Sequence, residues 1–195
     1  MSDLTPFVLA VLALLAIPGP TNTLMAAAGA SRGVTRSLPL LAGELGGYAI
    51  AITAWTEIVG AAATSQPLVP VVAKFVATAF LIWSAWKLWS HAGRSDLPQR
   101  GITLSRVFAT TLINPKGLVF AFAIFPQLGF VARLPYLGVL AVLVVATAVG
   151  WMLLGTVAAR AARGLLTSSR VERATAVALA AFAMLLVVQT LQSVL

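Results

Sequence analysis

The chain alternates long apolar runs with short polar joints, and the runs have the length of membrane-crossing helices. Six such stretches run from Leu4 to Ala28, Leu38 to Ala63, Val71 to Trp89, Val107 to Gln127, Leu134 to Ala159 and Ala174 to Leu191. Each is near or above the roughly 20 residues that a helix needs to cross a ~30 Å hydrocarbon core. The joints leave no room for a water-soluble domain. The pattern therefore predicts an all-α integral membrane protein, with residues 1–195 forming a single transmembrane domain. Composition points the same way, because 60% apolar and 9% charged residues cannot make a water-facing surface. Leu4 onward reads as the first span rather than a signal peptide: the head carries Asp3 and no lysine or arginine, and the apolar run continues past a cleavable length.

A net charge of +8 would suit a nucleic-acid partner if the basic residues were clustered. They are instead placed on alternate joints. Arg32 and Arg36 follow the first stretch, Lys87, Arg94, Arg100 and Arg106 surround the joint after the third, and Arg160, Arg163, Arg170 and Arg173 fill the joint after the fifth. Arg133, in the joint before the fifth stretch, is the main exception, and Lys74 lies near the start of the third. The positive-inside rule then makes the first, third and fifth joints cytoplasmic and puts both termini outside. The basic charge reads as topology and contact with anionic lipid, with no nucleic acid as partner.

Six spans divide into two groups of three, and an odd number per group makes the second group enter the membrane in the opposite sense. That is an inverted repeat, with halves of about residues 1–97 and 98–195. Pro18 and Pro115 are separated by the same interval as Arg36 and Arg133, about half the chain. Both prolines belong to helix-breaking motifs. In the first stretch Pro18 and Pro20 each lack a backbone donor, and Gly19 between them lacks the restraint of a side chain. In the fourth, Asn114 followed by Pro115 is the signature of a new helix start, with Asn114 as cap and Pro115 as first helical residue. The sequence thus predicts that helices one and four are broken inside the bilayer. Interrupted backbone is tolerated there only against protein or a watery cavity, so the two breaks are expected to face one another across an interior site.

Counting ~1.5 Å per helical residue from the nearer surface puts Pro18 and Glu44 at ~9 Å, and Lys116 at ~16 Å, into a ~30 Å core. A mid-bilayer lysine costs ~2.5–3.5 kcal/mol unless it is paired or hydrated. Two readings stay open for Lys116 and Glu44. Either they pair with each other as a structural lock or Lys116 snorkels, or the positive half-helix ends and Lys116 hold a carboxylate while Glu44 faces an ammonium group or carries a proton. The second reading predicts a substrate site from Pro18, Gly19, Pro20, Thr21, Asn22, Glu44, Tyr48, Asn114, Pro115 and Lys116, with Glu44 as the proton-coupling candidate. Thr21 and Asn22 follow the first break, and Tyr48 stands one helical turn beyond Glu44 on the same face. Gly43 and Gly47, also one turn apart, read as a close helix contact. Glu57 falls near the outer surface and reads as solvated. The lone His91 reads as a solvated loop residue, and with no cysteine the chain has no thiol relay, disulfide or thiolate metal site.

These residues resemble the lysine exporter (LysE/RhtB) family of six-span bacterial transporters. The resemblance is carried by Pro18-Gly19-Pro20, Arg32-Gly33, Gly43 and Gly47, Phe80-Leu81-Ile82-Trp83 ending in Lys87, Asn114-Pro115-Lys116, and Phe125-Pro126-Gln127. Ser84 departs from the pattern, standing where the family commonly has glycine. The family exports amino acids and their derivatives in exchange for protons. The resemblance therefore implies a multi-pass protein of the bacterial cytoplasmic membrane whose partners are an amino-acid substrate, protons and membrane lipids, with no cofactor and with a homodimer left open; no enzymatic activity is expected, because the span residues assemble no nucleophile and base pair and no metal set. Glu44 is not part of the family's pattern and rests on the physical argument alone. Two alternatives stand beside this reading. A metal or inorganic-ion exporter of related architecture would want several carboxylates, histidines or thiolates in its spans. A membrane scaffold would explain the basic joints but leave Lys116 without a purpose.

Overall fold

The computed structural model describes residues 4–63, 66, 68–90 and 101–161, together with residues 173, 176, 177, 180, 181, 184, 187 and 188 of the last stretch. Every regular element among the described residues is helical. The sixth expected span is therefore largely outside them, as are His91, Arg94, Arg100, Arg163 and Arg170.

The expected first span is two helices, α1 (Thr5–Ala16) and α2 (Pro20–Arg32), bent by 64° at the break between them. The local cause is proline chemistry. Ile17 is extended at ψ 124°, as a residue before proline must be to clear the ring. Gly19 is extended too, with φ −162° and ψ 177°. Neither Pro18 nor Pro20 can donate to the preceding turn, so the last carbonyls of α1 are left to find other partners. After α2, Gly33 adopts φ 80°, a conformation natural to glycine, and turns the chain into the short α3 (Val34–Ser37).

Next come α4 (Leu40–Ala63) and α5 (Val69–Ser90), close to the expected second and third spans. The fourth span is broken as expected. Helix α6 (Leu104–Leu112) is capped by the Thr103 side chain, and α7 (Pro115–Val119) runs on through a π-helical turn, Phe120–Ile124, at 47° to α6. Asn114 is the cap of α7 and Pro115 its first residue, the roles the sequence predicts. The long α8 (Phe130–Ala161) begins four residues before the expected start of the fifth span, so Arg133 lies within its first turn rather than in a joint. Among the described residues, Phe130–Ala159 is the one helix long and apolar enough to cross a membrane, and the number rises to three where each bent pair is counted as one span.

Small residues set how closely these helices approach. A Cβ added at Gly29 of α2 would stand 2.0 Å from the Met152 carbonyl oxygen of α8, and one added at Gly155 would stand 1.9 Å from that of Ala26. The two backbones touch there, and the Thr156 hydroxyl adds a 2.9 Å hydrogen bond to the Gly29 carbonyl. Gly43 and Gly47 give α4 the same access to α6, against the Leu104 carbonyl and the Thr111 side chain, as their spacing predicts. Outward on α5 and α8 stand Val72, Val76, Trp86, Val142, Leu154 and Val157, an apolar surface suited to lipid.

Candidate functional site

The two breaks meet. They do not face each other across a gap; they are hydrogen-bonded together in the interior. Asn114 begins the network: its Oδ1 accepts from the Lys116 backbone N–H at 3.0 Å as the helix cap, which turns its Nδ2 toward the Thr21 hydroxyl, also at 3.0 Å. Thr21 and Thr111 lie 3.1 Å apart through their hydroxyls. A hydroxyl has one proton, and Thr111 spends its own on the Val107 carbonyl at 2.8 Å. Thr21 must therefore donate to Thr111, and the run has a single direction from Asn114 through Thr21 and Thr111 to Val107.

A second set of bonds closes the end of α1. The Asn22 side chain reaches back across the break and donates to the carbonyls of Leu15, at 2.8 Å, and Ile17, at 3.0 Å. Lys116 donates to the same two carbonyls, at 3.4 Å to Leu15 and also to Ile17. The C-terminal end of a helix carries roughly half a negative charge, so a buried ammonium is well placed there. Gly19 leaves room for it. A Cβ at that position would press on Lys116, 3.3 Å from Cε and 3.5 Å from Nζ.

Glu44 and Tyr48 stand on the neighbouring face of α4, both buried. Tyr48 packs among Leu14, Leu15 and Val119, with its ring edge-on to Phe120 of the π-helical turn at 5.5 Å. Glu44 is close enough for its charge to act on Lys116. The two do not form an ion pair, however, and the structural-lock reading of the sequence does not hold in this conformation. Glu44 Oε2 and the Tyr48 hydroxyl are buried with no hydrogen-bond partner in the protein. A stranded polar atom of this kind costs ~1–3 kcal/mol.

Of the predicted site residues, Thr21, Asn114 and Lys116 are thus joined by hydrogen bonds and Asn22 shares two acceptor carbonyls with Lys116, with Gly19 beneath the lysine stem and Glu44 and Tyr48 beside them. Pro18 and Pro115 are half-buried and shape the breaks, whereas Pro20 opens α2 with its ring exposed. Lys116, which the sequence predicts to hold a substrate carboxylate, has its ammonium on the Leu15 and Ile17 carbonyl oxygens. Reading the sequence alone misses Thr111, whose signal is its place three residues before Asn114 on the inward face of α6.

A separate polar cluster lies farther along α4. Arg133 is buried and donates to the Thr56 hydroxyl and to Glu57, while its Nε has no partner. Glu57 is exposed, as predicted, but it is ion-paired rather than merely solvated. Among the described residues no group of three or more histidine, aspartate or glutamate side chains is placed to hold a metal ion.

No curated protein and no solved structure matches this chain. A family model described as LysE type translocator matches residues 12–190, a range that contains both breaks and every side chain of the two clusters. The chain therefore belongs to the LysE type translocator family, a family of membrane transporters.

Proposed function

We propose that this protein is a secondary active exporter of amino acids or closely related small zwitterionic metabolites, driven by exchange with protons across the bacterial cytoplasmic membrane. In this reading six spans form two inverted three-helix repeats, both termini lie outside, and broken helices one and four are the equivalent members of the two halves. The observation that carries it is a basic and an acidic side chain set in one buried place without an ion pair: Lys116 on the end of α1, and Glu44 with an unpartnered oxygen. A zwitterion brings one charge for each. Its carboxylate suits Lys116 and the free N–H groups that open α2, which has no side-chain cap. Its ammonium suits Glu44. Because one carboxylate oxygen cannot serve an ammonium and a proton at once, Glu44 is also the group through which the two fluxes are tied.

The test is uptake of labelled amino acids into inverted vesicles carrying the protein, with the interior acidified. Accumulation above that of protein-free vesicles is the expected result, and its absence for every amino acid and metabolite acid tried would remove the reading. Glu44→Gln should leave downhill movement of substrate but abolish its dependence on the imposed pH difference; an unchanged dependence would reduce Glu44 to a structural role.

A further inference from the structure

The two carbonyls that hold Lys116 have no capacity to spare. A carbonyl oxygen has two lone pairs; at both Leu15 and Ile17 one is taken by Asn22 and the other by Lys116. A further donor can enter only if one of these leaves. Asn22 belongs to α2 itself, and its two bonds tie the break together. Lys116 comes from the other break on a flexible stem, over the bare backbone of Gly19. It is the member free to go.

The neighbouring groups extend this acceptor set. Glu44 Oε2 and the Tyr48 hydroxyl are buried and unpartnered, and Tyr48 packs in the same cluster as Leu15 and Ile17. Carbonyls, a carboxylate and a phenol oxygen together are what a primary ammonium requires, since it has three N–H donors and a positive charge. Resting on the export reading above, we infer that the Leu15 and Ile17 carbonyls with Glu44 and Tyr48 form the substrate's ammonium site, that Lys116 occupies this site as a tethered stand-in, and that the substrate's ammonium displaces it. The displaced Lys116 is then released toward the carboxylate at the other end of the same molecule. Binding is thereby an exchange of one ammonium for another, and the interior is never left with uncovered carbonyls. The site takes free amino groups. It rejects N-acylated amino acids, which have lost the charge and keep a single N–H, and quaternary ammonium compounds, which have the charge but no N–H.

Chemical rescue tests this directly. Lys116→Ala removes the part of the side chain that n-propylammonium would replace. In purified full-length protein, n-propylammonium should raise the melting temperature of Lys116→Ala by roughly 3–5 °C at ten times its Kd, and that of the wild type by less, because there the tethered Lys116 competes for the same acceptors. Tetramethylammonium at equal ionic strength should do neither. An equal response of wild type and variant, or an equal effect of the two cations, would overturn the inference. Should the variant not fold, the wild type supplies the measurement. A mixture of the free α-amino acids should raise its melting temperature and their N-acetyl counterparts should not; a rise with the acetylated set, or none with the free set, overturns the inference. The flux assay keeps this apart from the export reading. Export without propylammonium rescue removes the ammonium site alone, and rescue without export of any amino acid removes the exporter and leaves the site.

Discussion

Lys116 and Arg133 are both withdrawn from the surface, yet one gives its donors to the main chain and the other to side chains. Lys116 answers the partial charge of a helix end, on carbonyls that Asn22 already bonds, with Glu44 nearby but not in contact. Arg133 is matched by a formal counter-charge, Glu57, whose side chain is 56% exposed against 7% for the arginine. The first arrangement is easily undone, because the carbonyls keep a partner when the ammonium moves. The second is a tether between α4 and α8, and undoing it strands a guanidinium whose Nε already lacks a partner. Exchangeability and anchorage are thus separated along α4.

Substitutions can break this contrast. Lys116→Ala should lower export on the order of a hundredfold, the scale seen when one member of a buried hydrogen-bonded charge set is lost. It should change unfolding far less than it changes flux, and a proportional fall in both, read by vesicle transport and melting temperature together, would make Lys116 a structural residue. Asn22→Ala should act the other way. It removes two bonds across the first break and should cost about 2–3 kcal/mol of stability, seen in denaturant unfolding. At Arg133 an asymmetry is expected. Glu57→Ala leaves the buried cation without a counter-charge and should cost about 2 kcal/mol. Arg133→Ala should cost only about 1 kcal/mol, since Glu57 returns to solvent and the Thr56 hydroxyl keeps its bonds to the Ile52 and Thr53 carbonyls. Equal losses at the two positions would show that burial of Arg133 does not govern the pair. Export per folded molecule should stay close to wild type in both variants.

Both breaks were legible from local chemistry alone. Two prolines around a glycine, and Asn114 before Pro115, fix the backbone within a few residues whatever surrounds them. The contact of α4 with α6 was legible as well, because Gly43 and Gly47 are spaced by one turn. The partner of Lys116 was not. It bonds to main-chain carbonyls, and since nearly every residue offers one, nothing in the side-chain pattern distinguishes Leu15 or Ile17. Arg133 was misplaced for a different reason: hydropathy starts the fifth span where apolar residues become continuous, whereas the helix starts where hydrogen bonding does, at Phe130. The direction of the Asn114, Thr21 and Thr111 run needed coordinates, because it depends on where each proton is already committed.

The backbone contact of Gly29 and Gly155 with α8 and α2 has a mechanical consequence. Helices seated carbonyl to glycine at that range cannot slide without collision, so α2 and α8 travel as one rigid beam. An opening of the interior that preserves this weld would turn about the backbone breaks at Ile17–Gly19 and Ile113–Asn114, the places where the helical hydrogen bonding is already interrupted.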